Sequence, residues 1–287
     1  MDSASTIILA IALIIIMLGM GLSLVKDDFS RILKHPKAIL LGLVNQMILL
    51  PLIAFGLLHL FPVNPEIAIG VMILAACPGG PTSNLIAHLA NGDTALSVSL
   101  TAVSSLLTII SIPLIVNFAL TEFLDAGQMI QLPILKTIAQ IFVIVIIPVS
   151  IGMYIRAKNP EFAKNMAKPV RIASGVVLAL VIVGIVIKEK SHIVPYFKQA
   201  GLITLALNVA TMAVGYFTAI LLKLNRGQSI SISIESGIQN GTMAIMIATI
   251  LLSNTEYAIA PAIYSLIMFG TGGVVIALAN RNKPRLT

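Results

Sequence analysis

Apolar runs long enough to cross a lipid bilayer follow one another along almost the whole chain. A membrane-spanning helix needs about 20 predominantly apolar residues, and nine segments of the 287-residue sequence meet that requirement. They cover residues 6–25, 38–60, 66–90, 94–120, 132–156, 169–187, 199–223, 228–252 and 256–279. Because 58% of the residues are hydrophobic and only 10% are charged, the composition excludes a soluble globular domain. The sequence predicts an all-α polytopic membrane protein with nine transmembrane helices.

The Lys and Arg residues are concentrated on one side of these segments. If the N-terminus is outside, 14 of the 18 Lys and Arg residues fall in cytoplasmic segments. The positive-inside rule therefore predicts an external N-terminus and a cytoplasmic C-terminus. The same residues account for the net charge of +7, and they are dispersed among short loops. We therefore expect the lipid bilayer, and no nucleic acid, as a partner.

The third and the eighth apolar run contain residues that interrupt a helix near its middle. The third carries two prolines and two glycines between Cys77 and Asn84, and the eighth carries Gly237 and Gly241 among polar residues. Proline removes a hydrogen-bond donor and obstructs the helix, and glycine permits unusual dihedral angles. Interrupted helices in corresponding positions of two halves of a chain indicate the binding site of a secondary transporter.

The two interruptions also predict an inverted repeat. Asn84 and Asn240 lie 156 residues apart, and one amide, Gln46 or Asn208, lies in the helix before each interruption. With the predicted orientation the third helix runs inward and the eighth runs outward, so the two repeats have opposite topology. The first repeat comprises residues 1–125 with helices one to four, and the second comprises residues 126–287 with helices five to nine. The two broken helices are expected to cross near the centre of the bilayer.

Glu235 lies in the middle of the eighth apolar run. A charged side chain at that depth costs several kcal/mol unless a partner compensates it, so a Glu in this position indicates a functional site. The partner that we predict is a cation.

Five groups of residues, spread over most of the chain, point to a family. They are Leu18 to Leu22, Gln46 five residues before Pro51, Pro78-Gly79-Gly80 with Ser83-Asn84, residues 91–101, and Glu235 with Gly237, Gln239 and Asn240. This set resembles the bile acid:sodium symporter family, in its bacterial nine-helix members. The resemblance implies a panel domain of helices one, five and six and a core domain of helices two to four and seven to nine. It also implies alternating access driven by sodium, in the bacterial inner membrane.

The resemblance further implies two sodium sites, and therefore two coupling Na+ ions. The first would use the side chains of Ser83, Asn84, Ser97, Thr101 and Glu235. All five supply oxygen, the ligand that a hard cation requires. The second would use the side chains of Gln46 and Gln239 and the backbone carbonyls of Ser236 and Ile238. The shared segment 235–239 would couple both ions to one movement.

The organic substrate implied by the resemblance is an anion in a cavity between panel and core. The residues that we expect to contact it are Gly80, Thr82, Asn240 and Thr271. Residues 267–271 lack the His-Asn pair of bile-acid-binding bacterial members, and Pro81 stands where a hydroxyl residue is typical. We therefore favour a small carboxylate such as pantoate, ketopantoate or pyruvate over a bile-acid-like steroid.

Two other classes of function stay open. A proton-driven or metalloid efflux carrier of the same superfamily would keep the broken helices and use Cys77 or Glu235 differently. A membrane enzyme is the less favoured alternative, because the sequence has no His-Glu-x-x-His motif and no paired aspartates in its apolar runs. We therefore expect no catalytic residues. His88 is expected near the cytoplasmic end of its helix, in contact with solvent or lipid headgroups.

Overall fold

A computed structural model describes residues 3–30, 36–124, 132–188 and 193–281, and these residues are almost entirely helical. The helices are α1 Ser3–Ser23, α2 Lys26–Ser30, α3 Pro36–Leu60, α4 Pro65–Ala76, α5 Pro81–Leu89, α6 Thr94–Phe123, α7 Ile134–Lys158, α8 Pro160–Lys188, α9 Ile193–Leu221, α10 Arg226–Gly237, α11 Gly241–Leu251 and α12 Glu256–Arg281. No β-strand occurs in the described ranges.

Five of these helices are long and apolar enough to cross a membrane: α3, α6, α7, α9 from Val194, and α12. Shorter apolar helices are Leu13–Ser23 within α1, and α4 and α11. The architecture is that of an α-helical membrane protein with several spans. Nine spans go beyond what these helices establish, and that number stays a prediction.

Two of the long helices contain a π-helical turn just before a proline. In α3 the turn covers Asn45–Leu49, and the Leu50 N–H donates to the Asn45 carbonyl. Pro51 follows it; proline has no N–H to donate and its ring obstructs the carbonyl four residues back, so the wider turn accommodates it. The same arrangement occurs in α7 at Phe142–Ile146, before Pro148. In α3 the turn contains Gln46, which is buried.

The third and the eighth predicted spans each consist of two helices joined by an extended segment. Between α4 and α5, Cys77 and Gly80 adopt extended dihedral angles. Each precedes a proline, which disfavours the helical conformation at that position. Between α10 and α11 there is no proline; Ile238 is extended, and the Asn240 side chain accepts the Met243 N–H at 3.1 Å and so begins α11.

The two extended segments pair with each other. Gly79 and Gln239 form an antiparallel bridge, and the Asn240 N–H donates to the Pro78 carbonyl at 2.9 Å. Backbone groups outside a helix must find partners when they are enclosed in a membrane protein. The two interruptions therefore satisfy part of each other's hydrogen-bonding requirement where they cross.

Around this crossing the helices pack in two groups. The first helix, α1, packs against α7 and α8, whereas α9 packs against α10 and α12. Glycines permit the close approach of α1 and α7, since a Cβ added to Gly152 would lie 2.8 Å from the Gly21 Cα. The first group contains the helices that we expect in the panel, but the division into panel and core stays a prediction.

The start of α8 differs from the sequence prediction. The predicted span begins at residue 169, but α8 begins at Pro160, and Asn159 alone separates it from α7. The Asn159 side chain accepts the Phe162 N–H at 3.0 Å and begins the helix. Hydropathy detects only apolar residues, whereas Ala, Glu, Lys and Met also favour helix in a polar segment. Residues 160–168, which precede the predicted span, are therefore helical.

Candidate ion and substrate sites

Glu235 lies near the end of α10, and only 3% of it is exposed. Within the described ranges, no Lys, Arg or His side chain forms an ion pair with it. Its carboxylate instead accepts hydrogen bonds from two hydroxyl groups of α6. Ser97 Oγ donates to Oε1, and Thr101 Oγ1 donates to Oε2 at 2.9 Å. Because Ser97 and Thr101 are four residues apart, they occupy one face of α6.

Asn84 brings a third acceptor to the same hydroxyl groups. Its Oδ1 lies 2.8 Å from Ser97 Oγ and 3.2 Å from Thr101 Oγ1. A hydroxyl group has one hydrogen to donate, so two hydrogens serve three acceptor oxygens, of which two belong to a carboxylate. The two hydroxyl groups cannot satisfy all three acceptors at once, so a cation beside these oxygens would be favourable.

Ser83 completes this group, which we call the carboxylate cluster: Ser83, Asn84, Ser97, Thr101 and Glu235. Ser83 Oγ donates to the Gly80 carbonyl at 2.7 Å and lies 3.5 Å from Thr101 Oγ1. The structure thus brings together all five residues that the sequence assigns to the first ion site. The polar atoms are oxygens and one amide nitrogen, a set that suits a hard cation.

Gly79 passes directly beside the carboxylate cluster. A Cβ added at this position would lie 2.5 Å from Glu235 Oε2 and 3.3 Å from Ser83 Oγ. Any larger residue would displace the carboxylate. Glycine at position 79 therefore leaves this space to the Glu235 carboxylate.

Gln46 and Gln239 form a second group, which we call the glutamine pair. Gln46 Nε2 donates to Gln239 Oε1 at 2.6 Å, and Gln239 Nε2 lies 3.3 Å from Gln46 Oε1. Gln46 Nε2 also donates to the Cys77 carbonyl at 2.9 Å. Gln239 Nε2 is within bonding distance of the carbonyls of Glu235 and Ser236, at 3.2 and 3.0 Å.

The backbone that we expect to serve the second ion site adjoins this pair. The Ser236 carbonyl accepts a hydrogen bond from Gln239, and Ile238 is fully buried in the extended segment. The structure therefore places Gln46, Gln239, Ser236 and Ile238 in one region. In this arrangement both glutamine side-chain oxygens already accept hydrogen bonds.

A cavity of about 590 Å³ opens beside the crossing. One wall is formed by α1 and Val170 of α8, and the other walls by the two extended segments, α5, α6, α11 and α12. The residues that line it are Ile16, Gly19, Met20, Ser23, Gly80, Pro81, Thr82, Asn84, Leu85, His88, Thr94, Val98, Val170, Gln239, Asn240, Gly241, Thr242, Met268 and Phe269. None of these lining residues is Lys, Arg, Asp or Glu.

Three of the four predicted substrate contacts line this cavity: Gly80, Thr82 and Asn240. The fourth, Thr271, is not among the lining residues, and its hydroxyl lies 3.3 Å from two carbonyls of its own helix, those of Ile267 and Met268. It satisfies its own backbone, as membrane hydroxyl residues often do.

His88 lines the cavity, which the sequence reasoning did not predict. Its Nδ1 lies 3.5 Å from Thr94 Oγ1. The spacing could have predicted this position, because His88 is four residues after Asn84 on α5 and the two side chains therefore share a face.

Asn208 and Tyr264 meet at the end of α10. Both are buried, and both donate to the Gly237 carbonyl at 2.7 Å. The sequence identified Asn208 as an isolated amide but gave Tyr264 no role. A buried Tyr usually forms a hydrogen bond through its hydroxyl group, so the position of Tyr264 within an apolar run could have indicated a polar partner.

Comparison with known proteins identifies the family. A sequence model of the sodium bile acid symporter family matches residues 10–196, more than half of the chain. The chain belongs to this family. This match confirms the family resemblance that the separated motifs indicated.

Curated relatives agree with the membership. The chain is 34% identical over 256 residues to an uncharacterized sodium-dependent transporter, YocS, of Bacillus subtilis (strain 168). This alignment covers 88% of the chain and 76% of the relative. It is 30% identical over 278 residues to a probable chloroplastic sodium/metabolite cotransporter, BASS1, of Arabidopsis thaliana, covering 96% and 67%. It is 30% identical over 274 residues to the ileal sodium/bile acid cotransporter of Cricetulus griseus, covering 94% and 77%.

The protein therefore belongs to a family of sodium-dependent membrane transporters. Cys77, one of the two residues that the proton-driven or metalloid alternative would use, is 1% exposed, and its Sγ donates to the Ile73 carbonyl at 3.2 Å. In the described ranges no group of three His, Cys, Asp or Glu side chains could hold a metal ion.

Proposed function

We propose that the protein is a sodium-coupled symporter that carries an organic anion across the bacterial inner membrane by alternating access. The observation that carries the proposal is the carboxylate cluster, an acceptor-rich group of oxygens around a buried Glu235 at the crossing of two interrupted helices. Names of relatives that describe sodium-dependent transporters and cotransporters support the choice of ion.

In the proposed mechanism one sodium ion binds the carboxylate cluster and neutralises Glu235. A second binds between the glutamine pair and the carbonyls of Ser236 and Ile238. The two sites share the segment 235–239, because the Glu235 carbonyl accepts a hydrogen bond from Gln239 at 3.2 Å. Ordering of this segment by one ion lowers the cost of ordering it for the other, which is positive coupling.

The ion sites also adjoin the substrate cavity. Asn84 bonds the hydroxyls of the carboxylate cluster and lines the cavity, and Gln239 belongs to the glutamine pair and lines the cavity as well. Ion binding at either position therefore acts directly on a cavity wall. This is the physical route by which sodium controls binding of the organic substrate.

The proposed membrane architecture has nine spans, an external N-terminus and a cytoplasmic C-terminus. Residues 1–125 and 126–287 form inverted repeats, with helices one, five and six as the panel. One correspondence supports the repeat: Gln46 donates to the carbonyl of Cys77, which directly follows α4 at the first interruption, and Asn208 donates to the carbonyl of Gly237, the last residue of α10 before the second.

The volume and the apolar walls of the cavity bear on the choice between the substrate candidates. Cavities of 300 to 1,000 Å³ typically hold drug-sized ligands, and this one has about 590 Å³ with mainly apolar walls. Pantoate, ketopantoate or pyruvate would fill a small part of it. The volume supports an amphipathic organic anion of bile-acid-like size, with its carboxylate beside the N-terminal ends of α5 and α11.

The first test is thermal unfolding of the purified protein in detergent, with sodium titrated against potassium at constant ionic strength. An ion that binds only the folded state stabilises it by RT ln(1 + [L]/Kd). We expect a sodium-specific rise in Tm that Glu235→Gln removes and that Glu256→Gln, at the start of α12, retains. An equal response to both cations in the wild type would reject sodium coupling and favour the proton-driven or metalloid carrier.

The second test is uptake into proteoliposomes. An inward sodium gradient should drive accumulation of a labelled bile acid, and unlabelled pantoate, ketopantoate or pyruvate should compete weakly. Stronger competition by a small carboxylate would reverse the order of the substrate candidates without affecting the sodium proposal. Turnover of the substrate by the purified protein would instead support an enzyme.

A further inference from the structure

The carbonyl of Gly237 is held by two side chains from different helices. Tyr264 of α12 donates its hydroxyl hydrogen at 2.7 Å, and Asn208 of α9 donates from Nδ2 at 2.7 Å. The Asn208 Nδ2 also donates to the Tyr264 hydroxyl at 3.2 Å. We call these three groups the carbonyl clamp. The Asn208 and Tyr264 side chains are completely buried.

The clamp acts on a carbonyl that the helix cannot satisfy. Gly237 is the last residue of α10, and the final carbonyls of a helix have no intrahelical donor. Gly237 lies between Ser236 and Ile238, whose carbonyls belong to the proposed second ion site. Since consecutive peptide groups share a Cα atom, fixing the Gly237 carbonyl restricts rotation of the peptide groups on either side.

The Asn208 amide is oriented by its donated bonds alone. Both of its hydrogens have acceptors, Gly237 and Tyr264, whereas its Oδ1 is buried and has no hydrogen-bond partner in the described part of the chain. The Gly237 carbonyl and the Tyr264 hydroxyl therefore set the orientation of this amide.

The surroundings of Gly237 leave it little freedom to move. A Cβ at this position would collide with the Met212 side chain and would lie 3.3 Å from the Asn208 carbonyl. Helix α9 therefore packs directly against the backbone at the end of α10. Neither Asn208 nor Tyr264 lines the substrate cavity.

We infer that Asn208 and Tyr264 are positioning residues for ion binding: they hold the 236–238 backbone in the form that the second sodium ion requires. The inference rests on the proposed function. Loss of the clamp loosens the carbonyls of Ser236 and Ile238 and weakens the coupling between the two ions, while the cavity keeps its lining.

The test is Tyr264→Phe, which removes one hydroxyl group, with Tyr257→Phe as the matched control. Tyr257 is buried in the same helix, at 3% exposed, but lies at its first turn, away from the crossing. For Tyr264→Phe we expect the sodium concentration at half-maximal uptake to rise about fivefold, the equivalent of one hydrogen bond. The Hill coefficient for sodium should fall towards one, and the substrate KM at saturating sodium should stay within twofold.

A purely structural role gives a different result. It would lower Tm equally in sodium and in potassium and leave the sodium midpoint and the Hill coefficient at their wild-type values, which would overturn the inference. Asn208→Ala provides a second variant that removes the other donor, and it should shift the same two quantities. If the wild type itself shows no difference between sodium and potassium, the proposed function fails; a sodium-responsive wild type with an unchanged Tyr264→Phe rejects the clamp alone.

Discussion

The carboxylate cluster contains Glu235 and the glutamine pair contains Gln239, the two ends of the segment 235–239. The two groups differ in the balance between hydrogen-bond donors and acceptors. In the carboxylate cluster the hydroxyl hydrogens of Ser97 and Thr101 serve three acceptors, two of them on Glu235. In the glutamine pair the side chains donate to each other, and the carbonyl of Cys77 receives another hydrogen. A cation entering the first group supplies missing positive charge. A cation entering the second must replace an existing hydrogen bond.

This difference predicts an order of binding. The first ion should bind the carboxylate cluster with higher affinity, because a buried and unpaired carboxylate is costly until a cation arrives. The second should bind more weakly, because the neutral amides lose their mutual contact. Substitutions in the two groups should therefore affect sodium binding differently.

Gly79→Ala should have the largest effect, because the added methyl carbon occupies space within 2.5 Å of Glu235 Oε2. We expect the sodium-dependent rise in Tm to be lost. Gly56→Ala is the control, since a Cβ there would meet no atom within 4 Å. Normal sodium stabilisation of the Gly79 variant would show that the ion does not use this carboxylate.

Ser97→Ala should weaken sodium binding about tenfold, as expected for a hydrogen bond to a charged group. Ser99→Ala is a closely matched control: Ser99 is equally buried on the same helix, but its hydroxyl donates to the Ala95 carbonyl of α6 itself. A sodium titration of Tm compares the two. Equal midpoints in both variants would contradict a ligand role for Ser97.

Gln46→Ala should act on the second ion, lowering the Hill coefficient for sodium-driven uptake from about two to about one and raising the midpoint about fivefold. Its neighbour Asn45 is also buried, but bonds Thr218 of α9 and the Leu41 carbonyl. Asn45→Ala should therefore lower Tm and keep the Hill coefficient. If the two variants gave the same coefficient, the glutamine pair would have no part in ion binding.

His88→Ala should have the smallest effect, since His88 lies outside both groups and is exposed at the cavity. We expect the substrate KM to rise about threefold, the low end for a hydrogen bond, with sodium dependence retained. Uptake at saturating sodium measures this. A changed sodium midpoint with an unchanged KM would place His88 with the ions instead.

Glu235 and the two helix interruptions could be predicted from the residues alone, because such residue types are rare in apolar runs. Glu235, the adjacent glycines and the two prolines stand out against hydrocarbon, and the i, i+4 spacing of Ser97 and Thr101 gives a shared face. This chemical contrast was sufficient for Glu235 and the interruptions, whereas the other four members of the carboxylate cluster were assigned through the family resemblance.

The cavity was harder to predict, for a physical reason. Membrane helices such as α12 are apolar on all sides, so periodicity does not show which face points inward. Thr271 was therefore expected in the cavity but bonds its own helix, whereas His88 lines the cavity and was given no binding role. The rotation of each helix depends on packing against its neighbours, which a single segment does not encode.

The main-chain pairing of Gly79 with Gln239 joins positions 160 residues apart in the chain, through backbone atoms and not through side chains. Side-chain substitutions elsewhere can therefore reshape the cavity walls on α1, α8 and α12 while this junction is retained. In the proposed function these three walls contact the substrate and hold no ion ligand, whereas Asn84 and Gln239 belong both to the cavity and to the ion sites. A transporter of this design can acquire a new cargo through changes in its walls and keep its source of energy.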